Sequence, residues 1–147
     1  MRTERFASGM TAIELTMVVA IASILASIAV PAYSLFVLQT NRTDATKTLQ
    51  MAAQSLERCY SRSLKYTHCN VNGRVVANGS TLETPNRFYL VTVTIPDNQN
   101  YTLTAVPVGA PQTADTRCAQ FTLSSSGAQT ARDINADNTT KPCWDST

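Results

Sequence analysis

The chain has 147 residues and a formal charge of +2, and only 15% of its residues are charged, against roughly a quarter in an ordinary soluble domain. That length bounds the architecture to one domain plus a terminal extension, and so small a net charge gives no general pull toward nucleic acid or acidic substrates. His68 is the single histidine; with no glycine-rich phosphate loop, no paired catalytic carboxylates and no metal-ligand spacing, neither enzyme activity nor a metal or other cofactor is expected.

The first nine residues, MRTERFASG, are mostly polar, carry Arg2 and Arg5, and end in Gly9. From Met10 to Leu38 the chain is apolar apart from a few hydroxyls, and Glu14 is its only charged side chain. As a helix this run extends about 40 Å, enough for a hydrocarbon core about 30 Å thick. The arginines ahead of it favour a cytoplasmic N-terminus and place everything beyond Leu38 outside. A carboxylate in hydrocarbon costs on the order of 3 kcal/mol or more, so Glu14 needs a partner or a function. Pro31 removes the hydrogen bond to the Ser27 carbonyl and is expected to kink or loosen the helix there, with the Ser23 and Ser27 hydroxyls placed to satisfy the freed group.

From Asn41 the helix continues as an amphipathic one. Ala45, Leu49, Ala52, Leu56 and Tyr60 recur at three- and four-residue steps, giving an apolar stripe. Arg42, Lys47, Gln50, Gln54, Glu57, Arg58 and Arg62 are assigned to the other faces. With no glycine between Met10 and Arg62 and Pro31 the one proline, a single helix of about fifty residues follows, abnormal for a compact domain. Near its end Arg58, Arg62, Lys65, His68 and Arg74, with Tyr60 and Tyr66 among them, make a modest basic–aromatic patch that fits nucleic acid. Cations at a helix C-terminus also favour the helix itself.

Residues 63–86 read as loop, punctuated by Asn70, Asn72, Gly73, Asn78, Gly79 and Pro85. Arg87 to Ile95 alternates as a strand with Tyr89, Val91, Val93 and Ile95 on one side; Pro96-Asp97-Asn98 turns the chain, and Tyr101 to Val106 returns. Cys118 to Leu123 and Ala128 to Ala131 complete an antiparallel meander set on the apolar face of the helix, an α+β fold. Asp133 to Thr147 shows no periodicity. Its Asp133, Asp137 and Asp145 fit a solvated loop better than a calcium site, and Trp144 suits a sheet edge. Four cysteines beyond a membrane-insertion signal face an oxidising compartment. Of three possible connectivities, locality favours Cys59 with Cys69 and Cys118 with Cys143, about 3 kcal/mol for each loop.

Gly9, Glu14 and Pro31, in that register, resemble the N-terminus of type IV pilins and their pseudopilin relatives, with Met10 and Ala12 where the family has Phe and Leu. The Cys143-Trp144 ending is similar to a minor pilin subgroup of the PilE type. The resemblance implies a leader (1–9) cut by a prepilin peptidase between Gly9 and Met10, with N-methylation of Met10. It implies a transmembrane and assembly helix (10–38), an amphipathic continuation (39–62) and a globular head (63–147). Glu14 meets the α-amino group of a neighbouring subunit's Met10, and Pro31 lets the packed helix stretch. The subunit waits in the inner membrane and then joins an extracellular pilus through the assembly machinery, as a minor pilin serving assembly, adhesion or twitching motility. Major pilin, type II secretion pseudopilin and DNA-uptake pilin are the alternatives. In the last, Arg58, Arg62, Lys65 and Arg74 are the contacts; a surface ligand is the other partner considered.

Overall fold

The structure, a computed structural model, describes residues 11–145; the expected processing site at Gly9 and Met10 lies outside them. A single helix, α1, runs Ala12–Ser63 with Pro31 inside it. Its start is fixed by a capping box: Thr11 Oγ1 accepts the Glu14 N–H at 3.3 Å, and Glu14 Oε2 accepts the Thr11 N–H at 3.5 Å. The chain divides into two units after Phe36.

In the first unit the apolar side chains from Ile13 to Phe36 are exposed, and α1 is long and apolar enough to cross a membrane. The serines there bond backward along the helix: Ser23 to the Ala20 carbonyl at 2.8 Å and Ser27 to the Ile24 carbonyl at 2.7 Å. Neither hydroxyl serves the Ser27 carbonyl that Pro31 releases, so the expected rescue is corrected. A hydroxyl on a helix reaches the carbonyl three or four residues behind it, not its own.

The second unit begins at Val37 and holds the core. Ala45, Leu49, Ala52 and Leu56 of α1 are fully buried, as their spacing requires, and Tyr60 is packed against the same cluster. They meet a five-stranded antiparallel sheet in the order β3(Ser80–Glu83), β4(Tyr89–Asp97), β5(Asn100–Pro107), β6(Gln120–Ser124), β7(Gln129–Arg132). The register aligns Leu82, Val91, Ala105, Phe121 and Ala131 in one cross-strand row on the buried face. On the opposite face the same register aligns Thr81, Thr92, Thr104, Thr122 and Thr130, so the hydroxyl-rich composition has a place: a threonine row suited to a half-solvated pleated surface. Beside β4, Gly109 donates to the Phe88 carbonyl at 3.2 Å, and a Cβ there meets the Arg87 carbonyl oxygen at 2.5 Å.

The α+β meander expected from sequence is present, with differences. Residues 63–86 are not loop: they carry β1(Cys69–Val71) and β2(Arg74–Val76), paired as a separate two-stranded sheet, and β3. Runs of three or four residues are too short for alternation to stand out. Strand β4 continues through Pro96 to Asp97, with a register shift between Thr94 and Asp97 that accommodates the proline. The last segment contains a short helix, α2(Thr140–Trp144). Cys59 bonds to Cys69 and Cys118 to Cys143. Trp144 is buried, edge-on to Phe121 at 6.0 Å, and its Nε1 donates to the Thr130 carbonyl at 2.9 Å.

One side chain assigned to a solvent face lies inside. Arg42 is 5% exposed, its Nε and Nη2 donating to Asp115 Oδ2 at 2.7 Å and Oδ1 at 3.0 Å. Around this pair Asn86 donates to Asp44 Oδ1 at 3.1 Å, and Gln112 Nε2 donates to the Tyr89 hydroxyl at 2.7 Å and the Leu38 carbonyl at 3.2 Å. Tyr89 is pushed up to about 12, chiefly by burial. The guanidinium is affordable in the core because a carboxylate meets it in bidentate geometry.

Candidate nucleic-acid interface at the end of the long helix

The final turn of α1 and the β1–β2 hairpin are joined by the Cys59–Cys69 disulfide. The helix stops as Leu64 takes φ 55° while its N–H bonds the Tyr60 carbonyl at 2.7 Å. Ser63 Oγ donates to the Cys59 carbonyl at 3.0 Å or the Lys65 carbonyl at 2.9 Å, tying the exit to the helix. The hairpin then turns on Asn72 (φ 51°) and Gly73 (φ 82°), the backbone that a two-residue Asn-Gly turn needs. Asn70 Oδ1 accepts the Gly73 N–H at 2.9 Å, bracing it.

Two open clefts meet at this hairpin. One, of about 490 Å³, is lined by Ser55, Arg58, Cys59, Arg62, Ser63, Asn70 and Asn72. The other, of about 260 Å³, is lined by Asn72, Arg74, Leu82, Glu83 and Thr84. Thus Arg58 and Arg62 come together, Arg74 stands across the hairpin from them, and Asn72 borders both clefts. Lys65 and His68 are exposed nearby in the chain but line neither cleft. Arg58 Nε donates to the Gln54 carbonyl at 3.2 Å, which orients it. Among the described residues the ion pairs are Arg42–Asp115 and Arg87–Glu83, so Arg58, Arg62 and Arg74 are each without a carboxylate in ion-pair range there.

The aromatic half of the expected patch is corrected. Tyr66 is buried, stacked on Tyr60 at 4.5 Å and edge-on to Tyr101 at 4.8 Å. Its hydroxyl donates to Glu57 at 3.1 Å, and burial, then that hydrogen bond and the Glu57 charge, push it up to about 12. The buried Tyr66 ring thus carries packing and offers no platform for unpaired bases, while Tyr60 is half-buried beside it. A larger cleft, about 760 Å³, lies on the other side of Arg58, against Glu57, Tyr101 and the Ser124–Gly127 turn. Its groups give no catalytic constellation. Cys59 and Cys69, on either side of His68, are both consumed by the disulfide, and Asp133 Oδ1 accepts the N–H groups of Asn135 and Asp137 at 2.8 and 2.9 Å, as a self-braced loop does.

What the arrangement can do is electrostatic and geometric. Three guanidiniums flank an exposed two-stranded ribbon whose tip carries amides, which suits phosphate contact on either side of a readable groove. Sequence reasoning named the cations but missed the hairpin between them, although Asn72-Gly73 is itself a hairpin signal. Residues 31–122 match the family model described as "Type IV minor pilin ComP, DNA uptake sequence receptor". No curated protein matches the chain.

Proposed function

The chain belongs to the type IV minor pilin family ComP, and from that membership we propose that it is a pilus subunit whose head receives DNA. A structural subunit of this kind needs no catalytic group. The observation that carries the DNA reading is the placement of Arg58, Arg62 and Arg74 around the β1–β2 hairpin with no ion-pair partner among the described residues. Lys65, exposed beside them, adds charge to the approach. Each guanidinium can grip a phosphate bidentately, which fixes position on a duplex but not sequence.

The assembly end follows from the first unit. The leader is cut after Gly9, Met10 is methylated, and the apolar helix anchors the subunit singly in the inner membrane with the head on the far side. Glu14, exposed at the start of α1, takes the Met10 amine of a neighbour as its counter-charge once both are shielded from water. Prepilin peptidase, the assembly machinery and other pilin subunits are the partners. Through the filament the subunit serves assembly, and with it adhesion or twitching motility. Glu14→Gln removes that counter-charge, so processed protein accumulates in the membrane and is absent from sheared pili; normal incorporation overturns this part.

Salt titration tests the DNA part. Residues 37–147 contain the whole buried core and serve as a soluble head. Contact with three phosphates gives a slope of about −3 in log K against log salt, and each Arg→Gln change at Arg58, Arg62 or Arg74 lowers its magnitude by about 1. A slope near zero refutes DNA binding by this surface.

A further inference from the structure

Phosphate contacts hold a duplex without reading it, so something else on the surface must distinguish bases if the head prefers one sequence. The β1–β2 hairpin has the dimensions for that task, because B-form DNA admits a two-stranded ribbon into its major groove. It pairs only with itself, not with the five-stranded sheet, and Asn70, Asn72, Gly73, Arg74 and Val75 are exposed on it. Resting on the DNA reading above, we propose that this hairpin enters the major groove and that Asn72 reads an adenine there.

Asn72 is singled out from its neighbour by hydrogen bonding. Asn70 has its carbonyl oxygen on the Gly73 N–H at 2.9 Å, which holds its amide against the turn backbone. Asn72 stands at the tip, exposed, with no hydrogen bond to its amide among the described residues. It presents a donor and an acceptor together, the pair that matches adenine N6 and N7. It also borders both clefts, so Arg58 and Arg62 lie to one side of it and Arg74 to the other. Cations on the two flanks set phosphates on either side of a groove while the amide between them meets the base edge.

An asparagine at φ 51° also suits the turn on backbone grounds alone, and the test separates the two roles. Asn72→Gly keeps the turn, since glycine adopts that backbone freely, and removes the amide. Asn72→Asp keeps the shape but accepts hydrogen bonds only, which suits cytosine N4. Full-length protein in detergent is mixed with a randomised duplex library, the bound fraction is sequenced, and affinities are then measured on the selected duplex and its single-pair variants. The wild type selects an A·T pair at one position and discriminates there by about tenfold or more, in line with a bidentate contact. Asn72→Gly flattens that position alone and leaves the salt slope unchanged; Asn72→Asp moves the preference toward C·G. Base preferences that persist in Asn72→Gly, an equal loss on every duplex, or a wild type that binds all duplexes alike overturn the base-reading role while leaving phosphate binding standing. A wild type that binds no duplex overturns the DNA reading and this inference with it.

Discussion

Removing Asp115 strands a charge in the core. Its carboxylate takes two hydrogen bonds from Arg42, at 2.7 and 3.0 Å, with the two side chains 6% and 2% exposed, and Oδ1 also accepts the Cys118 N–H at 3.3 Å. Asp115→Ala therefore leaves a buried guanidinium without a counter-charge, which costs about 3–5 kcal/mol, against a total stability of about 5–15 kcal/mol. The paired change Arg42→Met with Asp115→Leu removes both charges and leaves only the Cys118 N–H unsatisfied, so it costs about 1–3 kcal/mol. Urea denaturation of residues 37–147 with disulfides intact, followed by Trp144 fluorescence, measures both variants. A loss below about 1 kcal/mol for Asp115→Ala, or a double variant as unstable as the single one, refutes the reasoning, because the cost would not then lie in the unpaired charge.

Other outcomes follow from the same geometry. Cys118 and Cys143 are 25 residues apart and Cys59 and Cys69 are 10 apart, so replacing each pair by alanine costs about 3.5 and about 3 kcal/mol in the chain-entropy model. Equal urea midpoints for reduced and oxidised protein contradict both figures. Gly109→Ala drives a methyl against the Arg87 carbonyl oxygen and destabilises the head by about 1–3 kcal/mol; an unchanged melting temperature shows that the loop yields instead. Tyr89 holds its proton to about pH 12 in the folded state, whereas the unfolded phenol loses it near 10. Its contribution is thus complete below pH 10 and is lost as pH rises through about 12, at up to about 1.4 kcal/mol per pH unit. Tyr89→Phe removes that part of the alkaline slope, and matching slopes in wild type and variant count against it.

The long helix, the buried stripe and the meander were legible because their signals repeat: three- and four-residue steps from Ala45 to Leu56, strict alternation from Tyr89 to Ile95. Arg42 was misplaced although it sits three residues before Ala45, on the stripe itself. Spacing put it inside and charge argued it out, while the partner that decides the matter is Asp115, in sequence far away. Nor does composition reveal that Thr81, Thr92, Thr104, Thr122 and Thr130 form one row, since strand register is set by pairing and not by any single strand. At the candidate interface the cations were visible, yet the ribbon that separates them was hidden in two three-residue strands. Tyr66 looked available because it lies among basic residues; contact with Tyr60, Tyr101 and Glu57 is what takes it inside.

Independence of the small hairpin from the main sheet bears on how such a head can diversify. Cys69, Val71 and Val76 point into the protein and are buried, and the covalent link to α1 holds them in place. The outward positions between them answer to no strand of the larger sheet. A lineage could therefore exchange Arg74 or Val75, which are exposed and neither brace nor form the turn, with little penalty to folding, and such an exchange would alter what the ribbon meets while the filament-forming rod stayed the same.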